Sequence, residues 1–379
     1  MSAGLGSGVS GRLSVIVPAY NYGHFLGACL RSVLKQGIPD LELLVIDDGS
    51  EDNTAAVVAG FPTVRYRHQH NQGLSAARNS GLVQSSGETL LFLDADDLLA
   101  PASLAPRLAF LRAQSTSGWS VCGTRQFSAT KADGTPQLGA RWLLPPTDLG
   151  LRLMHFNIAP PHAYLMHRSV ADAAGLFDTQ LRACEDYDYW LRVLAQGQEP
   201  LYSPAGCVYY RKHATSMSAN NSNQLHHDVL LHERLFDALL RGHQLCPSDP
   251  ACALLAACAG VFTTLARLPT VDNADYHRLL GLMENCMTDW PTALAAALTP
   301  RRVLRDYYLL ILLHKAALSS AREPRARAAF ETLWEALQRS KIVVGNPHSR
   351  RLIVILGDLL LDRQAPLVDR YRVARLLLS

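Results

Sequence analysis

Leu41-Glu42-Leu43-Leu44-Val45-Ile46-Asp47-Asp48-Gly49-Ser50 is a nearly continuous apolar run that stops on two carboxylates and a turn. A strand that is apolar on both faces must be covered on both, as in a parallel sheet between helices. The flanking sequence repeats the pattern. Before this run, Leu13 to Val17 is a short β-rich segment followed by the turn Pro18-Ala19-Tyr20-Asn21-Tyr22-Gly23. His24 to Gln36 then carries Phe25, Leu26, Cys29, Leu30, Val33 and Leu34 at helical spacing and stops at Gly37. After it, the pattern predicts a helix over 52–59, a strand over 64–68, a helix over 74–85 and a strand over 89–93 that ends in Asp94-Ala95-Asp96-Asp97. Such alternation predicts an α/β domain with a parallel sheet under helices. Ligands of such sheets bind outside the carboxyl ends of the strands. Tyr20-Asn21, Asp47-Asp48 and the turn from Asp94 to Asp97 all fall at those ends, on one edge.

Past Pro101 the pattern is mixed: a helix over 104–114, a strand near 120–124, a Gly- and Pro-rich loop over 133–146, a helix over 149–155 and a strand around 163–167. A helix over 185–196 opens on two acidic residues, and a strand ends at Val208 to Tyr210. From about Asn223 helical periodicity dominates, punctuated by prolines. The expected organisation is a disordered tail over 1–11, an α/β domain over 12–220 and an all-helical domain over 221–379. Phe330, Leu333, Trp334 and Leu337 repeat at helical spacing, the signature of a buried helix face.

The 379 residues are 48% hydrophobic and 18% charged, which fits a packed core and excludes global disorder. A net charge of +3 is too small to make nucleic acid the expected partner. The charge is uneven: residues 301–379 hold 15 basic and 7 acidic side chains. A basic C-terminal region suits peripheral contact with an anionic membrane face, a phosphorylated acceptor, or a solvated helical surface. No run of about 18 apolar residues predicts a membrane span, and the Gly/Ser-rich start lacks the apolar stretch of a signal peptide. Eight scattered cysteines without a CxxC pair read as thiols of a reducing compartment, so a cytoplasmic location is expected.

Asp94, Asp96 and Asp97 crowd carboxylates onto one turn. Their mutual repulsion is relieved by a divalent cation with oxygen ligands that bridges to substrate phosphates; the plainer reading is a solvated turn capping a helix. His162, His167, His226 and His227 lack partners at metal-ligand spacing, so no zinc site is assigned. Gly4-x-Gly6-x-Gly8 precedes the first strand and fails as a dinucleotide fingerprint.

Six stretches in order resemble family 2 glycosyltransferases, inverting enzymes of the GT-A fold (a Rossmann-like mixed sheet that binds nucleotide-diphospho-sugars). They are Ser14 to Asn21, Asp47 to Thr54, Asn71 to Asn79, Phe92 to Asp97, Glu185 to Arg192 and Tyr209 to Ser218. The resemblance covers roughly residues 12–218. It implies that Pro18, Ala19, Tyr20 and Asn21 bind the donor around its nucleobase, and that Asp48 accepts the imide N–H of uracil or thymine. It implies that Arg78 lies near the diphosphate or the acidic turn. Asp94, Ala95 and Asp96 then form the DxD-type donor motif, with Asp96 or Asp97 holding Mn²⁺ or Mg²⁺. His213 completes the metal shell or contacts the diphosphate. Asp186 is the expected catalytic base, with Glu185 as its rival.

The expected donor is a UDP-sugar, with a dTDP-sugar second. The expected acceptor is a saccharide or lipid-linked saccharide hydroxyl at the inner membrane face, as in cell-surface polysaccharide synthesis. Two other classes stay open: a non-catalytic nucleotide-sugar-binding scaffold of the same fold, and a nucleotidyltransferase. The latter needs a Gly-rich basic loop where this chain has Pro18 to Gly23. Asp47 and Asp52 have structural readings as turn and helix-cap acceptors. Asp188 reads as a carboxylate favoured by the helix dipole. Trp190 has two readings, core and acceptor-sugar platform.

Overall fold

The computed structural model describes residues 11–131, 135–142, 147–214, 216, 221–241, 243, 245, 250–268, 274–279 and 281. The chain divides into two compact units, residues 1–149 with 157–220 and residues 150–156 with 221–379.

The first unit is built on β1 (Leu13–Ala19), β2 (Leu41–Asp47), β3 (Arg65–His68) and β4 (Thr89–Phe92), which pair in parallel in the order β3-β2-β1-β4. Every residue of β1 is buried, as its unbroken apolar run demands. Even Ser14 is enclosed, and its hydroxyl donates to Glu42 Oε2 at 2.5 Å. Helices α1 (Gly23–Leu34), α2 (Thr54–Ala59) and α3 (Leu74–Gln84) connect these strands. α1 buries Leu26, Cys29, Leu30 and Val33, one face of a 3.6-residue period. α3 lies so close to β1 that a Cβ on Gly81 would run into the Ile16 side chain.

Beyond β4 the sheet becomes mixed. β5 (Leu98–Leu99), β6 (Trp119–Thr130), β8 (Tyr164–His167) and β9 (Leu201–Arg211) extend it in the order β4-β8-β6-β9-β5. β8 is antiparallel to both β4 and β6, while β9 runs parallel to β6. β7 (Pro136–Trp142) pairs antiparallel with β6. It lies inside the stretch where the sequence predicts only a loop, so that expectation is corrected. The Lys131 N–H donates to Thr135 O at 2.8 Å. Helices α4 (Leu104–Arg112), α6 (Arg168–Ala174) and α7 (Glu185–Leu194) complete the unit. Trp190 is fully buried and stacks on Tyr164 at 4.2 Å, which makes it core and removes the platform reading.

In the second unit, α8 (Asn221–Leu240) and α9 (Pro250–Arg267) pack together, and residues 274–279 are also helical. α5 (Leu149–His155) belongs to this unit from Gly150 on, and His155 Nε2 lies 3.1 Å from Thr263 Oγ1. A single division at residue 220 misses that segment. The basic region 301–379 and the periodic stretch around Phe330 lie outside the described residues. Among the described residues, no helix is long and apolar enough to cross a membrane.

Candidate active site

The carboxyl ends of β1, β2 and β4 open into a cleft lined by Pro18, Ala19, Tyr20, Tyr22, Asp48, Leu74, Ala77, the turn from Asp94 to Asp97, Tyr210 and Ser216. Parallel pairing puts these ends side by side: Ala19 is level with Asp47, and the Leu93 N–H continues the ladder onto Ile16 O at 2.9 Å. The strands stop there because the next residues are turn formers and carboxylates.

Asp48 is buried and already holds three donors: Gln69 Nε2 at 2.7 Å and the Gln72 N–H at 3.0 Å on Oδ1, and the Gly73 N–H at 2.7 Å on Oδ2. Gly73 reaches it with φ +97°, a conformation that favours glycine. Asp48 therefore ties the loop before α3 to the end of β2, and a carboxylate with about four acceptor positions has about one left for a ligand. Asp47 accepts the Ser50 N–H and the Tyr66 hydroxyl, and Asp52 accepts the Gly23 and Thr54 N–H groups, the structural duties their spacing suggests. Asn21 turns at φ +55°, and its side-chain Oδ1 accepts the Glu51 N–H at 2.9 Å. It braces the turn and is absent from the cleft wall.

On the acidic turn the carboxylates have separate partners. Asp94 Oδ1 accepts Arg78 Nη2 at 2.8 Å. Asp96 Oδ2 lies 2.8 Å from His213 Nε2, both side chains 14% exposed. Burial, then the Asp94 charge, pushes the Asp96 carboxyl up, while His213 opposes the shift. Asp97 is buried: Oδ1 accepts the Arg211 N–H at 2.6 Å, and Oδ2 faces His162 Nδ1 at 3.4 Å. Burial drives the Asp97 carboxyl well above its ordinary range and pulls His162 down to about 4, so the pair is most stable uncharged. Tyr22, which sequence reasoning left out, overlooks this turn. Burial and the charges of Asp96 and Asp94 push its phenol up to about 12.

Arg78 is the centre of the arrangement. Its guanidinium is 1% exposed and donates Nη1 to Glu185 Oε1 at 2.5 Å as well as Nη2 to Asp94. The second carboxylate of the pair differs from the first. Asp186 accepts Asn157 Nδ2 at 2.9 Å on Oδ2 and the Tyr187 N–H at 2.8 Å on Oδ1, and it is less enclosed than Glu185. Burial, then the Glu185 charge, pushes its pKa up to about 7 against the pull of Arg78 and Asn157. Glu185 is locked in an ion pair; Asp186 is the group poised to accept a proton near neutrality.

The cleft thus gathers Pro18, Ala19, Tyr20, Asp48, Asp94, Ala95 and Asp96 of the residues proposed from sequence. Arg78 and His213 join through Asp94 and Asp96. Tyr22, Leu74, Ala77, Tyr210 and Ser216 were missed, although all but Tyr22 lie in stretches whose apolar or hydroxyl character gave no chemical signal. Asn157 was missed because no motif surrounds it.

Asp96 and His213 fit a divalent cation: one oxygen and one imidazole ligand meet at the cleft beside a carboxylate that burial leaves poorly compensated. Among the described residues no group of three or more His, Cys, Asp or Glu is arranged to hold a metal. Of the expected set, Asp96 and His213 meet at the cleft, while Asp97 is buried with Oδ1 on the Arg211 N–H and Oδ2 without a hydrogen-bond partner among the described residues. A bound diphosphate would have to supply further oxygens.

Residues 14–172 match the family model described as Glycosyl transferase family 2. The uncharacterised glycosyltransferase EpsJ of Bacillus subtilis (strain 168) is 29% identical over 216 residues, 54% of this chain and 62% of the relative. The Escherichia coli UDP-Glc:alpha-D-GlcNAc-diphosphoundecaprenol beta-1,3-glucosyltransferase WfaP is 26% identical over 220 residues, 56% of this chain and 82% of the relative. The chain thus spans less than two thirds of the length of EpsJ. Among solved structures, S. aureus TarS 1–349 is similar with a TM-score of 0.56 at 17% identity, covering 87% of this chain and 92% of that one. TarS 1–349 in complex with UDP-GlcNAc gives 0.54 at 17% identity, over 86% and 92%. Strand order, cleft and the similarity to TarS agree on a GT-A-type architecture, and residues 14–172 are similar to glycosyl transferase family 2.

Proposed function

We propose that this protein is an inverting, metal-dependent glycosyltransferase that moves a sugar from a nucleotide-diphosphate donor, a UDP-sugar first, to a hydroxyl of a glycan or lipid-linked saccharide. The observation that carries the reading is the Arg78 fork, which ties the acidic turn after β4 to the acidic start of α7. A turn suited to a diphosphate and a carboxylate suited to a proton are thereby held in one site. Support comes from WfaP, whose name specifies UDP-Glc and a diphosphoundecaprenol-linked sugar, and from the TarS complex with UDP-GlcNAc.

In this reading Pro18, Ala19 and Tyr20 form the wall against the nucleobase, with Tyr20 48% exposed and available for stacking. Asp48 offers its remaining acceptor position to the base N–H. Asp96 and His213 would hold Mn²⁺ or Mg²⁺, which when bound stabilises charge on the leaving diphosphate. Asp186 takes the acceptor hydroxyl's proton as the oxygen attacks the anomeric carbon, and a single displacement inverts that centre. Glu185 and Arg78 hold the helix that carries Asp186 in register with the donor turn. The site of action we propose is the cytoplasmic membrane face, in cell-surface polysaccharide synthesis, with the basic region 301–379 as the contact.

A thermal-shift screen of UDP, dTDP and GDP sugars with Mn²⁺, Mg²⁺ or EDTA tests the donor, since a ligand of the native state raises Tm by mass action. Metal-dependent stabilisation by UDP-sugars is expected. Stabilisation by none of these nucleotides would overturn the reading in favour of a non-catalytic protein.

A further inference from the structure

We propose that Asn157 is a positioning residue for the base: its carboxamide fixes the direction of the Asp186 carboxylate and favours its ionised form. The inference rests on the glycosyl-transfer reading above. Asn157 lies in the loop after α5, far from every sequence motif, and donates Nδ2 to Asp186 Oδ2 at 2.9 Å. The other oxygen, Oδ1, is held by the Tyr187 N–H at 2.8 Å. The carboxylate is pinned from two elements, and its plane is fixed while remaining lone pairs stay open to a hydroxyl.

The amide orientation is dictated by its partner. Turning the carboxamide over would aim a carbonyl oxygen at a carboxylate. In the observed orientation Asn157 Oδ1 is buried without a hydrogen-bond partner among the described residues. Leaving an acceptor unsatisfied costs about 1–3 kcal/mol, so the donor end is placed at Asp186 in spite of that cost. An uncharged donor also suits a base better than an arginine does. Glu185 gives Oε1 to the Arg78 ion pair and is less available to a hydroxyl. An amide steadies the carboxylate without such a penalty.

The groups around Asp186 explain why a donor is needed. Glu185 on the same helix and Asp94 from the turn after β4 oppose ionisation, as does burial. Arg78 of α3 favours it, and the Tyr164 phenol of β8 feels the Asp186 charge. Arg78 is shared with Asp94 and Glu185, so Asn157 is the side-chain donor directed to Asp186 itself.

The test is the pH dependence of kcat in Asn157→Ala and Asn157→Leu, the second keeping the branched shape without the donor and adding no charge, at saturating donor. Removing the amide raises the proton affinity of Asp186, so the acid limb of kcat moves to higher pH by about one unit. At neutral pH kcat falls roughly 10- to 100-fold, because misaligned groups lose that much, while donor KM is unchanged. A variant profile that superimposes on the wild type overturns the inference, and so does a loss confined to donor KM. A carboxyl-carbon NMR titration, with Asp186 assigned by its disappearance in Asp186→Asn, needs no turnover. An unshifted Asp186 titration in folded Asn157→Leu also overturns the inference. A shifted titration in a chain that transfers no sugar upholds the hydrogen bond and overturns the transferase reading instead.

Discussion

Arg78 and Glu185, 107 positions apart in the chain, form a buried ion pair at 2.5 Å, with side chains 1% and 6% exposed. Its cost of formation is high, because both charges leave water. Removing one partner is worse than removing both. Arg78→Met is therefore expected to destabilise the fold by about 3–5 kcal/mol, since it strands Glu185 and frees Asp94. Chemical denaturation of Arg78→Met against the double variant Arg78→Met/Glu185→Met measures it. Equal losses in the two would mean that stranding Glu185 carries no penalty of its own.

Asp186→Asn is expected to leave donor binding intact and to lower transfer by roughly 10²- to 10⁴-fold, the usual worth of a general base. Wild-type kcat should rise as pH passes about 7, where Asp186 loses its proton. The stability effect has the opposite sign. The folded-state pKa lies above the ordinary 3.8, so stability falls as pH climbs from about 4 to about 7 and is level beyond. Thermal melts across that window should show a shallower decline in Asp186→Asn. Transfer near the wild-type rate in this variant would move the base elsewhere.

For Asp96→Ala the expected outcome is loss of the cation-dependent part of donor binding, measured as UDP affinity with Mn²⁺ and with EDTA. The backbone of the turn should survive, because Arg211 Nε is bonded to Asp96 O, a main-chain atom that the substitution keeps. UDP affinity that still depends on Mn²⁺ as in the wild type would remove Asp96 from the metal site.

Asp97→Asn should behave differently from its neighbour. An asparagine keeps an acceptor for the Arg211 N–H, and the native carboxyl is itself favoured in its neutral form, so cation-dependent binding should persist. Asp97→Ala leaves that N–H unmatched and should cost about 1–3 kcal/mol, read by denaturation. Loss of Mn²⁺ dependence in Asp97→Asn would restore Asp97 as a ligand.

The strands that form the site were legible because they are covered on both faces. Leu13–Ala19 and Leu41–Asp47 had to be apolar throughout, and each ends on residues that cannot continue a strand. β7 was illegible for the opposite reason. Pro136–Trp142 pairs through its main chain in a hairpin, so its side chains carry no alternation strong enough to outweigh the surrounding Gly and Pro. In the cleft, carboxylates stood out as a pattern in the sequence, while its uncharged lining residues did not. Asp94, Asp96 and Asp186 could be named from carboxylate crowding and family resemblance. The duty of Asp48 could not, because its partners Gln69, Gln72 and Gly73 meet it only after α3 folds back. Trp190 could be weighed only once its burial was known.

Because residues 150–156 belong to the helical unit while Leu149 and Asn157 belong to the other, the two units are interlaced along the gene. No single crossover exchanges them. A fragment ending at residue 220 would carry α5 without its helical companions and would leave the now-buried Leu151, Leu153 and Met154 in search of cover. A chimera that respects both units needs joints at 149/150, 156/157 and 220/221. The second of these falls beside Asn157. A joint placed there would alter the chain directly beside the side chain proposed to steady the base.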